Sequence, residues 1–331
     1  MELGFWKKLK KPFFVLAPMA DVTDAAFREI IAEYSRPDGP DVFWTEFTSA
    51  DGLMSAGRKK LLHNLKYSRG EHPIVAQFFS ASSEKMRGAA ALARELGFDG
   101  IDINMGCPDR AIVKQGAGGA LIKTPKLARE IIRAAKEGAG DLPISVKTRL
   151  GFSKDILEEW LPELLQEGLA AVAVHARTVK ELSNVPARWE RVHDAVCIRD
   201  KMKVETLIIG NGDALDLEDA EKKAKETGAD GIMLGRAIFG NPWLFSNSQE
   251  FENESETEMI KRKLMTLVEH AKLFERYFKG IKNFAVMKKH FKAYVSGWDG
   301  AKELRVELME KGDLAEEVAK IVETAIRNRK A

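Results

Sequence analysis

The chain has 331 residues, 45% of them apolar and 31% charged, with a formal net charge of +2. That is enough for one large domain plus a smaller one, and any affinity for nucleic acid must come from uneven charge, not from its total. The two cysteines, Cys107 and Cys197, exclude a disulfide framework and a multi-cysteine zinc or iron–sulfur centre. No metal site is expected, and the cysteine usage fits a reducing compartment, taken as the cytoplasm.

Lysines precede a short apolar run, Phe13 to Ala17, that lies between Pro12 and Pro18. It is a poor signal-peptide core and reads as a first buried strand. Similar runs recur at Asp41–Glu46, Ile74–Phe78, Gly100–Asn104, Ile144–Thr148, Ala171–His175, Thr206–Gly210 and Gly231–Leu234. Between them, Ser83–Leu96, Lys126–Lys136, Ile156–Glu167 and Leu217–Thr227 carry helical spacing, and Gly97, Gly168 and Gly228 stand where C-caps belong. Eight strand–helix repeats over about 230 residues predict an α/β fold, a closed (β/α)8 TIM barrel rather than an open sheet. No stretch reaches the roughly 20 apolar residues of a membrane span.

A polar, acidic stretch from Asn247 to Glu258 then reads as a linker. Beyond it Leu264, Leu267, Val268, Ala271 and Phe274 share one helical face, and further helices are predicted around Asn283–Ser296, Ala301–Met309 and Leu314–Asn328. The expected division is a catalytic barrel over 1–246 and a small all-α domain over 247–331. Between Lys261 and Arg305 there are 12 Lys/Arg against four acids, a local +8 in a chain of +2. Such asymmetry suits contact with a phosphate backbone, and Lys288, Lys289, Lys292 and Arg305 are the expected RNA contacts.

The chemistry of such a barrel collects at the C-terminal ends of its strands. Those positions hold Pro18 and Met19, Gln77, the run Asn104-Met105-Gly106-Cys107-Pro108, Lys147 and Arg149, and His175 with Arg177. Asn211-Gly212-Asp213 and Gly235-Arg236 follow the last two strands, where barrels of this kind bind phosphate through loop amides, and Arg236 adds a charged donor. Lys147 and Arg149, two residues apart on a strand, share a face. Cys107 sits in a glycine–proline loop, whereas Cys197, in AVCIRD, reads as an inert core residue. An unperturbed thiol, with a pKa of about 8.5, stays protonated near neutrality and can act as an acid.

The segments APMADVTDAAFR, VAQFF, DINMGCPDRAIVKQGAGGALIKTP, VKTRLG, VHART, IIGNGD and IMLGRAIFGNPW, with KKHFKAYVSGWDGAKELR near the end, resemble the tRNA-dihydrouridine synthases. The resemblance runs from about Phe13 to Arg305. It implies an FMN-containing barrel with a helical RNA-binding domain, reduced by NADPH and acting on tRNA. Cys107 becomes the general acid that protonates uracil C5 while hydride passes from flavin N5 to C6. Asn104 and Arg149 would hold the uracil, and Lys147, His175 and Gln77 the flavin ring, with Pro18 and Met19 beside it. Asn211, Gly212, Asp213, Gly235 and Arg236 would lie near the ribityl phosphate. A monomer with no obligatory protein partner and no membrane association is expected. Asp21 and Ala176 depart from the pattern, each standing where many members have glycine. Two other readings compete: a small-molecule FMN barrel reductase of the dihydroorotate- or dihydropyrimidine-dehydrogenase kind, and a non-catalytic tRNA-binding protein.

Overall fold

The computed structural model describes residues 3–35, 39–246, 251 and 253–329. In chain order its elements begin with β1 (Phe13–Leu16), α1 (Ala25–Tyr34), β2 (Phe43–Trp44), β3 (Thr48–Ser49), α2 (Ala50–Leu53), β4 (Ile74–Phe79), α3 (Ser83–Glu95), β5 (Gly100–Met105) and α4 (Arg110–Lys114). They continue with α5 (Pro125–Ala139), β6 (Ile144–Arg149), α6 (Leu157–Leu165), β7 (Ala171–His175), α7 (Trp189–Met202), β8 (Leu207–Asn211), α8 (Leu217–Thr227) and β9 (Gly231–Leu234). The rest is helical: α9 (Glu256–Phe278), α10 (Lys288–Tyr294), α11 (Ala301–Lys311) and α12 (Ala315–Asn328).

The strands pair in the order β1-β9-β8-β7-β6-β5-β4-β2, with β3 also on β4, and every pairing is parallel. Asp41 N–H donates to Phe14 O at 2.8 Å and Leu16 N–H to Val42 O at 3.4 Å, so β1 meets the residues leading into β2 and the sheet closes. The result is the (β/α)8 barrel that the alternation predicts, followed by a helical C-terminal region. β4, β5, β8 and β9 are buried along their whole length, as parallel strands covered on both faces must be. Phe13, Trp44, Val75, Ala171, Leu207 and Met233 share a core cluster with Trp6, whose ring lies 5.8 Å from Phe13 and 5.9 Å from Trp44.

One strand differs from the expectation. The run Asp41–Glu46 is not a single strand: only Phe43–Trp44 ladder with β4, and β3 pairs further along it. Trp44 aligns with Val75 and Thr48 with Phe78, four steps against three, so one residue is extra and the segment bulges. At the break Thr45 Oγ1 accepts Gln77 N–H at 3.1 Å in place of a ladder bond. Asp41 is spent elsewhere, its carboxylate accepting Phe14 N–H at 2.7 Å.

The chain falls into two compact units. The first, Met1–Ala20, Pro40–Leu65 and Glu71–Arg236, contains all the strands; the second, Asp21–Gly39, Lys66–Gly70 and Ala237–Ala331, takes in α1 and the C-terminal helices. Within the second unit α9 starts with a capping box, Ser255 with Glu258, and buries the predicted face of Leu264, Leu267, Val268, Ala271 and Phe274. α1, capped by Asp24, belongs here: Phe27 stacks on His270 at 4.9 Å, and Tyr34 donates to Glu269 at 2.8 Å. Of the acidic stretch expected as a linker, residues 247–250 and 252 lie outside the described residues. Among the described residues, no helix is long and apolar enough to cross a membrane.

Candidate active site

Along β4, β5 and β6 a chain of polar side chains runs through the barrel wall to the loop that follows β5. Asp102 on β5 is 1% exposed; it accepts from Ser145 Oγ and from Gln77 Nε2, both at 2.6 Å. Gln77 Oε1 accepts Asn104 Nδ2 at 3.0 Å, and Asn104 Oδ1 accepts the N–H groups of Gly106 (3.1 Å) and Cys107 (2.9 Å). Residues 102 and 104 share a face because strand side chains alternate, and in register Asp102 faces both Gln77 and Ser145. Burial raises the Asp102 pKa to about 6, against the Ser145 and Gln77 hydrogen bonds and the Lys147 charge.

Across β6 to β9 the groups are mostly cationic. Lys147 Nζ donates to Asn211 Oδ1 at 2.9 Å; it spans β7, where small Ala173 lies in register with Lys147 on one side and Ile209 on the other. Asn211 Nδ2 in turn donates to Met233 O at 2.8 Å. Burial, then Arg149, lowers the Lys147 pKa to about 8. The His175 ring is kept neutral by burial and by Lys147, Arg149, Arg177 and Arg236. Arg177 Nη1 lies 3.1 Å from His175 Nε2 and can only donate, so Nε2 accepts and the ring proton sits on Nδ1. Asp213 pairs with Arg177 Nη2 and with Arg236 Nη2 at 2.5 Å, and accepts Ala187 N–H at 3.0 Å. Burial opposes its charge, but those partners outweigh it and its pKa is lowered. Gly212 has φ +131°, and a Cβ there would meet Ala187 Cβ at 2.8 Å, so this turn tolerates only glycine.

Cys107 heads the loop that enters α4, whose N-cap Asp109 accepts Ala111 N–H at 2.9 Å and Ile112 N–H at 3.1 Å. The loop folds back on itself: Gly119 N–H donates to Cys107 O at 3.0 Å, and a Cβ on Gly119 would meet that oxygen at 3.0 Å and Val179 Cγ2 at 2.6 Å. Arg149 ties the loop to the β7–α7 connection, donating Nε to Gly106 O (3.0 Å) and Nη1 to Thr178 O (2.9 Å) and Leu182 O (2.8 Å). The thiol is half-buried, and burial raises its pKa, so it is protonated at neutral pH. A protonated sulfur among fixed cations and a neutral imidazole can donate a proton and then have its thiolate stabilised.

A family model described as dihydrouridine synthase matches residues 15–330. The chain belongs to the dihydrouridine synthase family. It is therefore an enzyme, and its class is flavin oxidoreductase. Among curated relatives, a protein of Staphylococcus aureus named "Probable tRNA-dihydrouridine synthase" is 41% identical over 96% of this chain and 94% of its own length. A Bacillus subtilis protein named "Probable tRNA-dihydrouridine synthase 2" is 41% identical over 93% of each. Among solved structures, morphinone reductase is similar with a TM-score of 0.52 at 15% identity, covering 74% of this chain and 86% of that one. The 6-hydroxypseudooxynicotine amine oxidase of Pseudomonas geniculata gives 0.55 at 16%, over 90% and 54%. These two likenesses concern the barrel fold alone.

In this dihydrouridine synthase family member, the structure gathers Gln77, Asn104, Cys107, Lys147, Arg149, His175, Asn211, Gly212, Asp213 and Arg236 at adjoining strand ends of one unit. Pro18 and Met19 follow β1 and are half-buried, and a Cβ on Gly235 would sit 3.7 Å from Met19 Sδ. Several of these side chains serve each other first: Asn211 holds Lys147, Asp213 holds two arginines, and Arg236 is 65% exposed on its side chain. Ser145, Asp102 and the anchoring role of Arg177 were missed. The signal for Asp102 was an acid inside the apolar strand IDINM, two residues before Asn104. Cys197 corrects the reading of an inert core thiol: it is exposed on α7, beside His193 Nε2 at 3.5 Å, one step round the helix from buried Val196.

In the helical unit, Lys288 and Arg305 are engaged within the protein. Lys288 Nζ donates to Met309 O at 2.7 Å and pairs with Asp313 at 2.8 Å; Arg305 Nη1 donates to Val295 O at 2.8 Å. Lys289 pairs with Asp21 at 3.2 Å while half its side chain stays exposed, and Lys292 is exposed. Asp21 itself has φ +54°, a left-handed conformation that favours glycine and that aspartate tolerates better than most side chains.

Proposed function

We propose that this chain reduces uridines of tRNA to 5,6-dihydrouridine, with FMN as bound cofactor and NADPH as transient reductant. The observation that carries the reading is the protonated Cys107 thiol, held in a braced loop within electrostatic reach of Arg149 and Lys147. The tRNA substrate is taken from the names of the curated relatives, and the flavin from the family. The residues suit a flavin: an ammonium, an imidazole Nδ1–H, and a βα turn at Gly212 too tight for a side chain, with Arg236 beside it for a phosphate.

When bound, the cofactor supplies the hydride that goes to uracil C6. Cys107 gives its proton to C5, so the S–H bond breaks as the C5–H bond forms, and the thiolate left behind faces the charges of Lys147 and Arg149. The hydrogens that Asn104 Nδ2 and Arg149 Nη2 do not spend within the protein are left to orient the uracil carbonyls. Lys147, His175 and Gln77 address the ring, with Pro18 and Met19 packing beside it. Asn211, Gly212, Gly235 and Arg236 form the phosphate end, and Asp213 acts there by holding Arg236 and Arg177. The target base must leave its stack to reach a barrel mouth. The barrel of 1–246 is read as the catalytic domain and the helical 247–331 as the RNA-binding one, with Lys289 and Lys292 its freest phosphate contacts and Lys288 and Arg305 near them in sequence.

Cys107→Ala tests the assignment. Flavin content and NADPH oxidation should persist while dihydrouridine formation falls about 10²–10⁴-fold, the usual worth of a general acid. Product formation at the wild-type rate would refute the role of the thiol.

A further inference from the structure

We infer that Asp102 is a positioning residue for Cys107, acting through a ladder of two side-chain amides that it anchors at the foot. The inference rests on Cys107 being the proton donor. A carboxylate oxygen only accepts, so Gln77 must turn Nε2 toward Asp102, at 2.6 Å. That leaves Oε1 facing Asn104, which must answer with Nδ2, at 3.0 Å. Asn104 then has only Oδ1 to offer the N–H groups of Gly106 and Cys107, at 3.1 and 2.9 Å. Gln77 alone could sit either way round; the acid at the foot and the two N–H donors at the head demand the same sense, so the ladder is locked from both ends. Were the ladder reversed, an NH2 would face two N–H donors and the loop would lose its hold.

The foot is built for this. Asp102, Gln77 and Asn104 are 1%, 0% and 6% exposed, so water is excluded from most of the ladder. Ser145 Oγ occupies the other carboxylate oxygen at 2.6 Å. Asp102 has no direct contact with the thiol; it works from two rungs away.

The test reads the rate at which iodoacetamide alkylates Cys107 in the flavin-loaded full chain, with Cys197→Ser to silence the exposed thiol. Alkylation tracks the exposure and ionisation of the sulfur. Asp102→Leu should raise the rate about threefold or more, since a Gln77 amide freed of its anchor lets Asn104, and with it the loop, shift. Asn104→Ala should do the same, and the double variant should match Asn104→Ala within about twofold, because both cut one path. Asp102→Asn should stay near wild type, as Ser145 Oγ can accept its NH2 and leave the oxygen facing Gln77. In turnover, Asp102→Leu should slow the uridine step about tenfold while reduction by NADPH is kept. Should Asp102→Leu not fold, Gln77→Leu breaks the next rung and enters the same cycle with Asn104→Ala. An alkylation rate unchanged in the Leu variant, or effects that multiply in the double variant, would overturn the inference. The alkylation arm needs no tRNA, so a protein inactive on tRNA would defeat the proposed function and leave this result standing on its own.

Discussion

At the scale of single residues the account turns on protonation. Burial raises the Cys107 pKa and lowers that of Lys147 to about 8, so at neutral pH the sulfur keeps its proton and the amine still carries its charge. Both states are those the proposed step requires, and both are lost in the same direction. As pH rises through about 8, Lys147 gives up its proton first, and one of the two charges facing the developing thiolate disappears. The rate of the uridine step should therefore fall above pH 8 in stopped-flow traces of flavin reoxidation by tRNA. Lys147→Arg, which stays charged, should move that limb upward to the titration of Cys107. A limb that stays where it is in the Arg variant would mean another group sets it. Cys107 stood out in the sequence because its loop is glycine- and proline-rich. Arg177 did not, because one more arginine in a charged chain carries no mark until its three partners, Val185 O, His175 and Asp213, are seen.

At the scale of elements, the strands were legible because parallel strands buried on both faces are unbroken apolar runs; seven of the eight expected runs became strands with ends shifted by one residue at most. The bulged Asp41–Glu46 run was not, since the Thr45 side chain that replaces a ladder bond depends on β4. The membership of α1 in the helical unit was equally hidden, because its contacts with α9 are long-range. The basic stretch was visible by counting, but not how its charges are spent: Arg262 pairs with Glu254, Arg276 with Glu29 and Lys288 with Asp313. Lys289→Glu with Lys292→Glu should accordingly weaken tRNA binding and lower the slope of log K against log salt by about 2, one for each phosphate that is no longer neutralised. Filter binding across a salt series measures both. Lys288→Ala should instead show mainly as a lowered melting temperature.

For the molecule as a whole, a cofactor that binds only the folded barrel must stabilise it. Saturation at 100 times Kd adds about 2.7 kcal/mol, so the flavin-loaded protein should melt well above the stripped one. Arg236→Ala should shrink that difference and lower the flavin recovered on purification, as it removes a charged donor from the phosphate end; equal flavin content would count against that end of the site. The membership of the family fixes the class of enzyme, and the strand ends supply an acid, cations and a glycine turn in one unit. The most direct measurement mixes the anaerobically reduced protein with unmodified tRNA and follows flavin absorbance and nucleoside composition together. The account predicts reoxidation of the flavin with one dihydrouridine formed per flavin; a flavin that stays reduced, or reoxidises with the uridines intact, would contradict it.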